Sequence, residues 1–492
     1  MTRFRMLMAL LILSAAAVGA SEPADTLTRF QGSYEAEFSG TLSQKGTHTP
    51  FWLVSNRGGL GSVRTDAGFV RGAAHGLGRI DERWTWSFGA DLVGSWRSEA
   101  PFFIRELYGG IRYRDFELTA GSKLETDRLV DMRLSSGDLL FSGNAMPIPQ
   151  LRLAMPDYLM IPGTRGWLGF KAYFSFGKFT DNNWLKDFVR PGARYTRNVL
   201  YHTKGLRIRV GNLDKLPLTF EGGFEMASQF GGEIMKGDSV VQRLPHSFKD
   251  VIKVIFAQGG GGSDLPGEQS NALGNHLGEW SARINWHTPG ESMVSLYYLH
   301  FFEDHSMMTF DYTWHDGLWG LEFKLPANPF VSKVVYEYLY TKDQSGPVYW
   351  DHTPEVPEQV SGRDGYYNHY LYNGWQNWGM GIGNPLIISP VWNKDHSLAF
   401  QCNRVISHHI GLQGEPSPHV SWRILATYTR GWGTYSVPYK DVKRNVNFLG
   451  EVTGSLPSLK GWSATLGIGV DRGSMLGRSY GGMLTIRKTG IL

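Results

Sequence analysis

The chain has 492 residues, with 49 Lys and Arg against 45 Asp and Glu, a formal net charge of +4. That near-balance, with no concentrated basic face, excludes nucleic acid as a partner, and the single cysteine, Cys402, excludes an internal disulfide and reads as an inert strand residue. Charged residues make up 19%, below the ~25% of ordinary soluble domains, while aromatics reach 13% and glycines number 61.

The first elements locate the protein. Arg3 and Arg5, the apolar run Met6 to Leu13 and then Ala15 to Ala20 follow the basic, apolar, small-residue order of a secretory signal, with cleavage expected after Ala20. Residues 21–492 then read as one unit, because no linker or change of composition divides them. No later stretch offers the apolar run of a spanning helix, so a membrane form of this chain must be a barrel.

Trp84, Trp86, Phe88, Ala90, Leu92, Gly94 and Trp96 occupy every second position, interleaved with Thr85, Ser87, Asp91, Ser95 and Arg97. This is a two-faced strand. At ~3.3 Å per residue its thirteen positions extend roughly 40 Å, enough to cross a bilayer at a barrel's tilt. Tryptophan at both ends of the apolar face fits the two aromatic girdles of an outer-membrane barrel. The alternation recurs in Leu168 to Phe176, in Trp280 to His287, in Val331 to Tyr340, in Val420 to Tyr428 and in three final strands around Phe448, Leu466 and Leu484. The fold class is therefore all-β: a transmembrane antiparallel barrel.

Connections alternate in length. Thr288 to Gly290, Pro326 to Pro329 and Leu456 to Gly461 are short turns; Glu303 to Gly317, Lys342 to Asn393 and Arg430 to Asn445 are long. Barrels of the outer membrane pair short periplasmic turns with long external loops, which places the last strand's end on the periplasmic side. Length alone assigns no side to the segment Glu125 to Gly166. Ser247 to Gln258 carries apolar residues at helical spacing and ends at Gly259 to Gly262; Asp181 to Val189 is a weaker helix of the same kind.

Several motifs together carry a likeness. They are Glu106 to Gly110, Ser136-Gly137-Asp138 with Ser142 to Ala145, Pro147 to Gln150, Ile161-Pro162-Gly163, Tyr201-His202, Leu218 to Gly223, Tyr366 to Tyr370, Gly374-Trp375 and Ile382 to Pro385. The chain thereby resembles the Wzi family of outer-membrane capsule-assembly proteins, particularly its Bacteroidetes branch. That resemblance implies about 18 strands and a lectin-like protein that binds exported capsular or other surface polysaccharide and helps attach it to the cell. It also implies no catalysis. The chain ends Gly490-Ile491-Leu492, without the aromatic residue that usually closes a barrel delivered to the assembly machinery.

Sugar sites pair aromatic platforms with short polar groups. The long loop Lys342 to Asn393 has that composition, so Tyr366, Tyr367, Asn368, Tyr370, Trp375 and Trp378 are the candidate polysaccharide contacts, joined by Trp314 from the loop Glu303 to Gly317. Tyr349, Trp350, Asp311 and Tyr312 share the pattern. Replacing Trp375, Trp378 or Tyr367 by alanine is expected to weaken polysaccharide retention. The competing reading folds these aromatics inward as a plug, and the rival function is a porin or solute channel. No cofactor and no metal are implied: His-Glu-x-x-His spacing is absent, and the adjacent His408 and His409 face opposite sides of a strand. No nucleophile elbow is expected, and a hydrolase pair such as Ser281 with His287 is one choice among many. Acidic residues facing the lumen, such as Asp91 and Glu337, belong on a polar inner wall.

Overall fold

A computed structural model describes residues 30–259, 272–288, 290–303, 308, 310, 314–326, 328–344 and 364–492. The leader and Asp311, Tyr312, Tyr349 and Trp350 lie outside them. The wall is a closed antiparallel barrel of 18 strands: β1 Phe30–Ser43, β2 Ala67–Arg79, β3 Trp84–Trp96, β4 Phe102–Tyr113, β5 Phe116–Ser122, β6 Gln150–Ala154, β7 Leu168–Lys178, β8 Leu200–Val210 and β9 Leu218–Phe230. It continues with β10 Asn275–His287, β11 Met293–Phe302, β12 Gly317–Lys324, β13 Lys333–Tyr340, β14 Val405–Ser417, β15 Val420–Gly433, β16 Pro438–Ser455, β17 Trp462–Gly473 and β18 Arg478–Ile491. Each strand pairs with its sequence neighbours, and β18 closes on β1 with Arg487 opposite Glu37. Closure leaves no unpaired strand edge, which a bilayer would penalise by several kcal/mol per unsatisfied group.

The two faces of each strand obey the alternation. In β3, Trp84, Trp86 and Leu92 are exposed on the outside, whereas Asp91 and Val93 are fully buried inside. In β17, Trp462, Leu466 and Ile468 point out while Gly467, Gly469 and Asp471 point in. One bulge breaks the rule usefully. Asp91 pairs with Glu106 but Leu92 pairs with Ile104, so Arg105 is extra and both Arg105 and Glu106 turn inward.

One end carries the short connections: 80–83, 114–115, 155–167, 211–217, 288–292, 325–332, 418–419 and 456–461. The other carries the long segments, of which 44–66, 123–149 and the described residues 341–344 and 364–404 fold into the lumen. The segment expected as one long loop between Glu125 and Gly166 is split by β6, which sends 123–149 to the long-loop end and 155–167 to the short-turn end. The external loop expected at Arg430 to Asn445 is only 434–437, because β15 and β16 pair well beyond the apolar band. Cys402 is buried in the segment before β14 rather than in a strand.

Both short helices form, as α1 Asn182–Phe188 and α2 Phe248–Ile255, and Ser247 with Asp250 closes a capping box on the second. Of the glycines expected to stop it, 260–262 lie outside the described residues. A further helical turn, Phe51–Val54, is buried in the lumen.

Candidate functional site

The polar inner wall acts as a set of docking points for the inserted loops. Glu337 of β13 accepts from Ser135 Oγ at 2.5 Å, from Ser136 N at 2.7 Å and from Tyr297 Oη at 2.6 Å. Asp471 of β17 accepts from Phe51 N at 2.8 Å and from Asn447 Nδ2 at 2.6 Å. Arg283 of β10 donates to the Leu129 carbonyl at 2.6 Å and to Glu322 at 2.9 Å. His409 reaches the Leu134 carbonyl at 2.8 Å, while its neighbour His408 lies outside against Tyr336 Oη at 2.9 Å, so the pair is divided between the two faces. Gly411 lets the wall come into direct contact with the Leu134 backbone, which a Cβ would block. Buried loop backbone must find partners, and the wall supplies them.

The candidate residues divide sharply. Tyr366, Tyr367 and Trp375 are fully buried in the lumen core. Trp375 Nε1 donates to the Leu140 carbonyl at 2.8 Å, and its ring meets Tyr201 and Phe141 at centroid distances of 6.0 and 5.9 Å. Tyr367 Oη donates to the Leu139 carbonyl and accepts from Asn384 N at 3.0 Å. Asn368 clasps the Phe400 backbone, with Oδ1 accepting at 2.8 Å and Nδ2 donating at 3.0 Å. Trp378 is half-buried at the tip of the hairpin Gln376–Asn377 and Met380–Gly381, where φ of +54° and of +78° at Gly379 make a type I′ turn. These residues form a plug. In this arrangement Tyr366, Tyr367 and Trp375 present no ring face to a ligand, so the expected loss of polysaccharide retention on replacing Trp375 or Tyr367 would have to act through the plug.

Two candidates remain open to solvent. Trp314 is 59% exposed and stacks on His315 at 4.2 Å. Tyr370 is 65% exposed, stacks on His369 at 4.7 Å and lines a pocket of about 330 Å³ at the long-loop end. The other walls of that pocket are Tyr372 and Asn373 of the same loop, and Arg194, Thr196, Ile234 and Gln242 of a small sheet formed by Arg194–Arg197, Glu233–Lys236 and Ser239–Arg243. Asn373 fixes the sheet to the loop, accepting from Thr196 N at 2.8 Å and donating to its carbonyl at 2.6 Å. Burial lowers His369 to about 4, so the ring beneath Tyr370 is neutral at physiological pH. Trp314 does not line this pocket. The sheet was not anticipated, since its three strands are four or five residues long.

Asp316 anchors the loop's entry. It accepts from Asp343 N at 3.1 Å, from Gln344 N and from Tyr366 Oη at 2.9 Å, yet burial raises its carboxyl to about 7. The unfolded carboxyl ionises near 3.8. The folded state therefore holds its proton over that interval, and the stability it contributes is full below pH 4 and lost as pH rises to 7. Hydrogen exchange at Asp343 and Gln344 should accelerate between pH 5 and 8 beyond the intrinsic base catalysis, and Asp316→Asn should flatten that excess; an equal excess in the variant would assign it elsewhere.

A second cavity, about 450 Å³, lies in the lumen. Arg57, Arg133 and Arg423 with Glu451 line one side, Arg71, Arg105 and Arg487 with Glu37 the other, and Ser39, Thr453, Thr465 and Thr485 stand between. Composition alone did not reveal this concentration of arginine, because its six members come from four wall strands and two loops.

The sequence holds a Gly-x-Ser-x-Gly spacing at Gly477-Arg478-Ser479-Tyr480-Gly481, contrary to the expectation that none occurs. It enters strand β18 rather than a strand–turn–helix elbow, and Ser479 Oγ is bound to the His48 carbonyl. Ser281 and His287 sit six residues apart on one strand, roughly 20 Å, which is too far for a nucleophile and its base.

No protein-family model and no curated protein matches the chain. Among solved structures, it is similar to Wzi of Escherichia coli, described as an outer-membrane protein involved in group 1 capsule assembly and a carbohydrate-binding β-barrel: TM-score 0.55, 11% identity, covering 92% of this chain and 83% of that one. It is also similar to Pseudomonas aeruginosa OccK3, at a TM-score of 0.46, 11% identity and coverages of 94% and 96%. At 11% identity the likeness to Wzi shows the fold alone, that of an outer-membrane β-barrel.

Proposed function

We propose that this protein resides in the bacterial outer membrane, delivered by a signal peptide at residues 1–20 and inserted by the barrel-assembly machinery. There its long-loop end binds capsular or other surface polysaccharide and helps hold it to the cell. The exposed ring of Tyr370 at the mouth of the loop-end pocket is the observation that carries this reading. An aromatic face beside Arg194 and Gln242 suits the C–H face and hydroxyls of a sugar. The fold shared with a protein described as carbohydrate-binding supports it. The apolar outer wall faces lipid, and the short turns face the periplasm.

Loss of the ring's contact should cost about 0.5–1.5 kcal/mol, or roughly two- to tenfold in affinity. Tyr370→Ala is expected to reduce retention of surface polysaccharide by that factor, with surface protein unchanged, in binding of purified barrel to a glycan array and in capsule retention by cells. Full retention would remove Tyr370 from the site. Trp314→Ala tests the second exposed ring in the same assays.

The arginine-lined cavity favours a second reading, a solute channel, because clusters of charged side chains around a lumen are how pores select. Planar-bilayer recording separates the two. A sealed lectin gives no steady current, and a steady current through the wild-type barrel would support the channel.

A further inference from the structure

Asp138 of the inserted segment 123–149, Glu225 of β9 and Glu279 of β10 bring one carboxylate oxygen each to within 4.8 Å of the others, and all three residues are buried. Glu225 and Glu279 are direct cross-strand partners in the barrel ladder, a position where like charges repel. Arg128 pairs with Glu225 at 3.1 Å, and among the described residues no other ion pair reaches the three. Three carboxyl groups against one guanidinium leave two acids without a cation, in a place where an ionised, unpaired group is costly.

A second feature points to a missing ligand rather than to a tolerated cluster. Glu279 is 1% exposed, and its Oε2 is buried without a hydrogen-bond partner. Asp138 is already fixed in place, its Oδ1 accepting from Leu140 N at 2.9 Å and Phe141 N at 2.8 Å. Three oxygens no more than 4.8 Å apart have a centre within about 2.8 Å of each, so an inward shift of a few tenths of an ångström reaches the 2.3–2.6 Å that calcium requires, and a larger contraction the ~2.1 Å of magnesium.

We propose that Asp138, Glu225 and Glu279 form a binding site for one hard divalent cation, of the Ca²⁺ or Mg²⁺ type, that ties the inserted segment 123–149 to the wall at β9 and β10. Its charge matches the two carboxylates that Arg128 leaves unpaired. An all-carboxylate set of oxygens selects such an ion over softer metals, which prefer nitrogen or sulfur. The site is independent of the polysaccharide reading and would stand if that failed.

The test uses the whole barrel refolded in detergent free of lipopolysaccharide, which itself binds divalent ions. After equilibration with CaCl₂ or MgCl₂ and removal of free ion, elemental analysis is expected to find one equivalent bound, and EDTA to lower the unfolding temperature reversibly. Glu279→Gln keeps the shape and removes one charge; it should weaken binding roughly tenfold or more and abolish the EDTA effect while folding normally in EDTA. Glu415→Gln, on the same wall but away from the three, should leave both unchanged. A wild-type barrel that retains no Ca²⁺ or Mg²⁺ and melts at the same temperature with and without EDTA overturns the proposal, as does Glu279→Gln binding the ion as tightly as the wild type.

Discussion

Asp91→Ala is expected to be among the most destabilising single substitutions in this wall, at about 3–5 kcal/mol. The Asp91 side chain is fully buried and accepts from Arg71 Nε at 2.8 Å and from Arg105 Nη1 at 2.9 Å, both guanidiniums being at most one-tenth exposed. Removing it strands Arg105 and takes one of three carboxylates from Arg71. Arg71 retains Glu35 at 2.6 Å and Glu37 at 3.3 Å, but Arg105 keeps only the Gly58 carbonyl, at 3.3 Å. Urea unfolding in detergent micelles, followed by the heat-dependent gel shift of folded barrels, measures the loss. Replacing Asp91 and Arg105 together by apolar residues of similar volume, with Arg71 kept on Glu35 and Glu37, should recover much of it, because the cost lies in the unpaired charge rather than in a missing attraction. An Asp91→Ala barrel as resistant to urea as the wild type would show that water reaches the arginines.

The location of Asp91 on the inner wall was readable from the alternation of Trp84 to Trp96; its partner was not. Arg105 faces inward only because of the bulge opposite Asp91 and Leu92, and a period-two pattern carries no sign of a bulge. The same limit explains the strands that left little trace in the sequence. β2 mixes glycine, alanine and histidine among its apolar residues and β14 sets two histidines side by side, so the apolar signal that marks β17 is diluted. β6 is five residues long, and its presence becomes clear only once β5 and β7 flank it. Loop aromatics were harder still. Tyr366, Tyr367, Tyr370 and Trp375 lie within ten residues of one another and look equivalent in sequence. What separates them is burial and the acceptors that go with it: the Leu139 and Leu140 carbonyls take Tyr367 and Trp375 and the Asp316 carboxylate takes Tyr366, whereas Tyr370 is 65% exposed. Those partners lie 50 to 235 positions away.

Trp375→Ala is expected to open the plug. Truncating a fully buried aromatic costs about 3–5 kcal/mol, the upper end applying where neighbours cannot collapse into the space. Collapse is restricted at this position. Leu140 and Phe141 are held by Asp138, Tyr201 belongs to the rigid strand β8, and Tyr367 is tied to Leu139 and Asn384. The lost indole also leaves the Leu140 carbonyl without its donor in a dry core. The wall is hydrogen-bonded all round without Trp375, so the barrel should survive in gels while the segment 364–404 detaches and becomes protease-sensitive. A steady planar-bilayer current should then appear in Trp375→Ala against a silent wild type, and Trp375→Phe, which fills most of the volume, should restore silence. A silent, protease-resistant Trp375→Ala barrel would mean that Glu337, Asp471 and Arg283 alone hold the loops against the wall. In that case the seal belongs to the polar docking points rather than to the aromatic core.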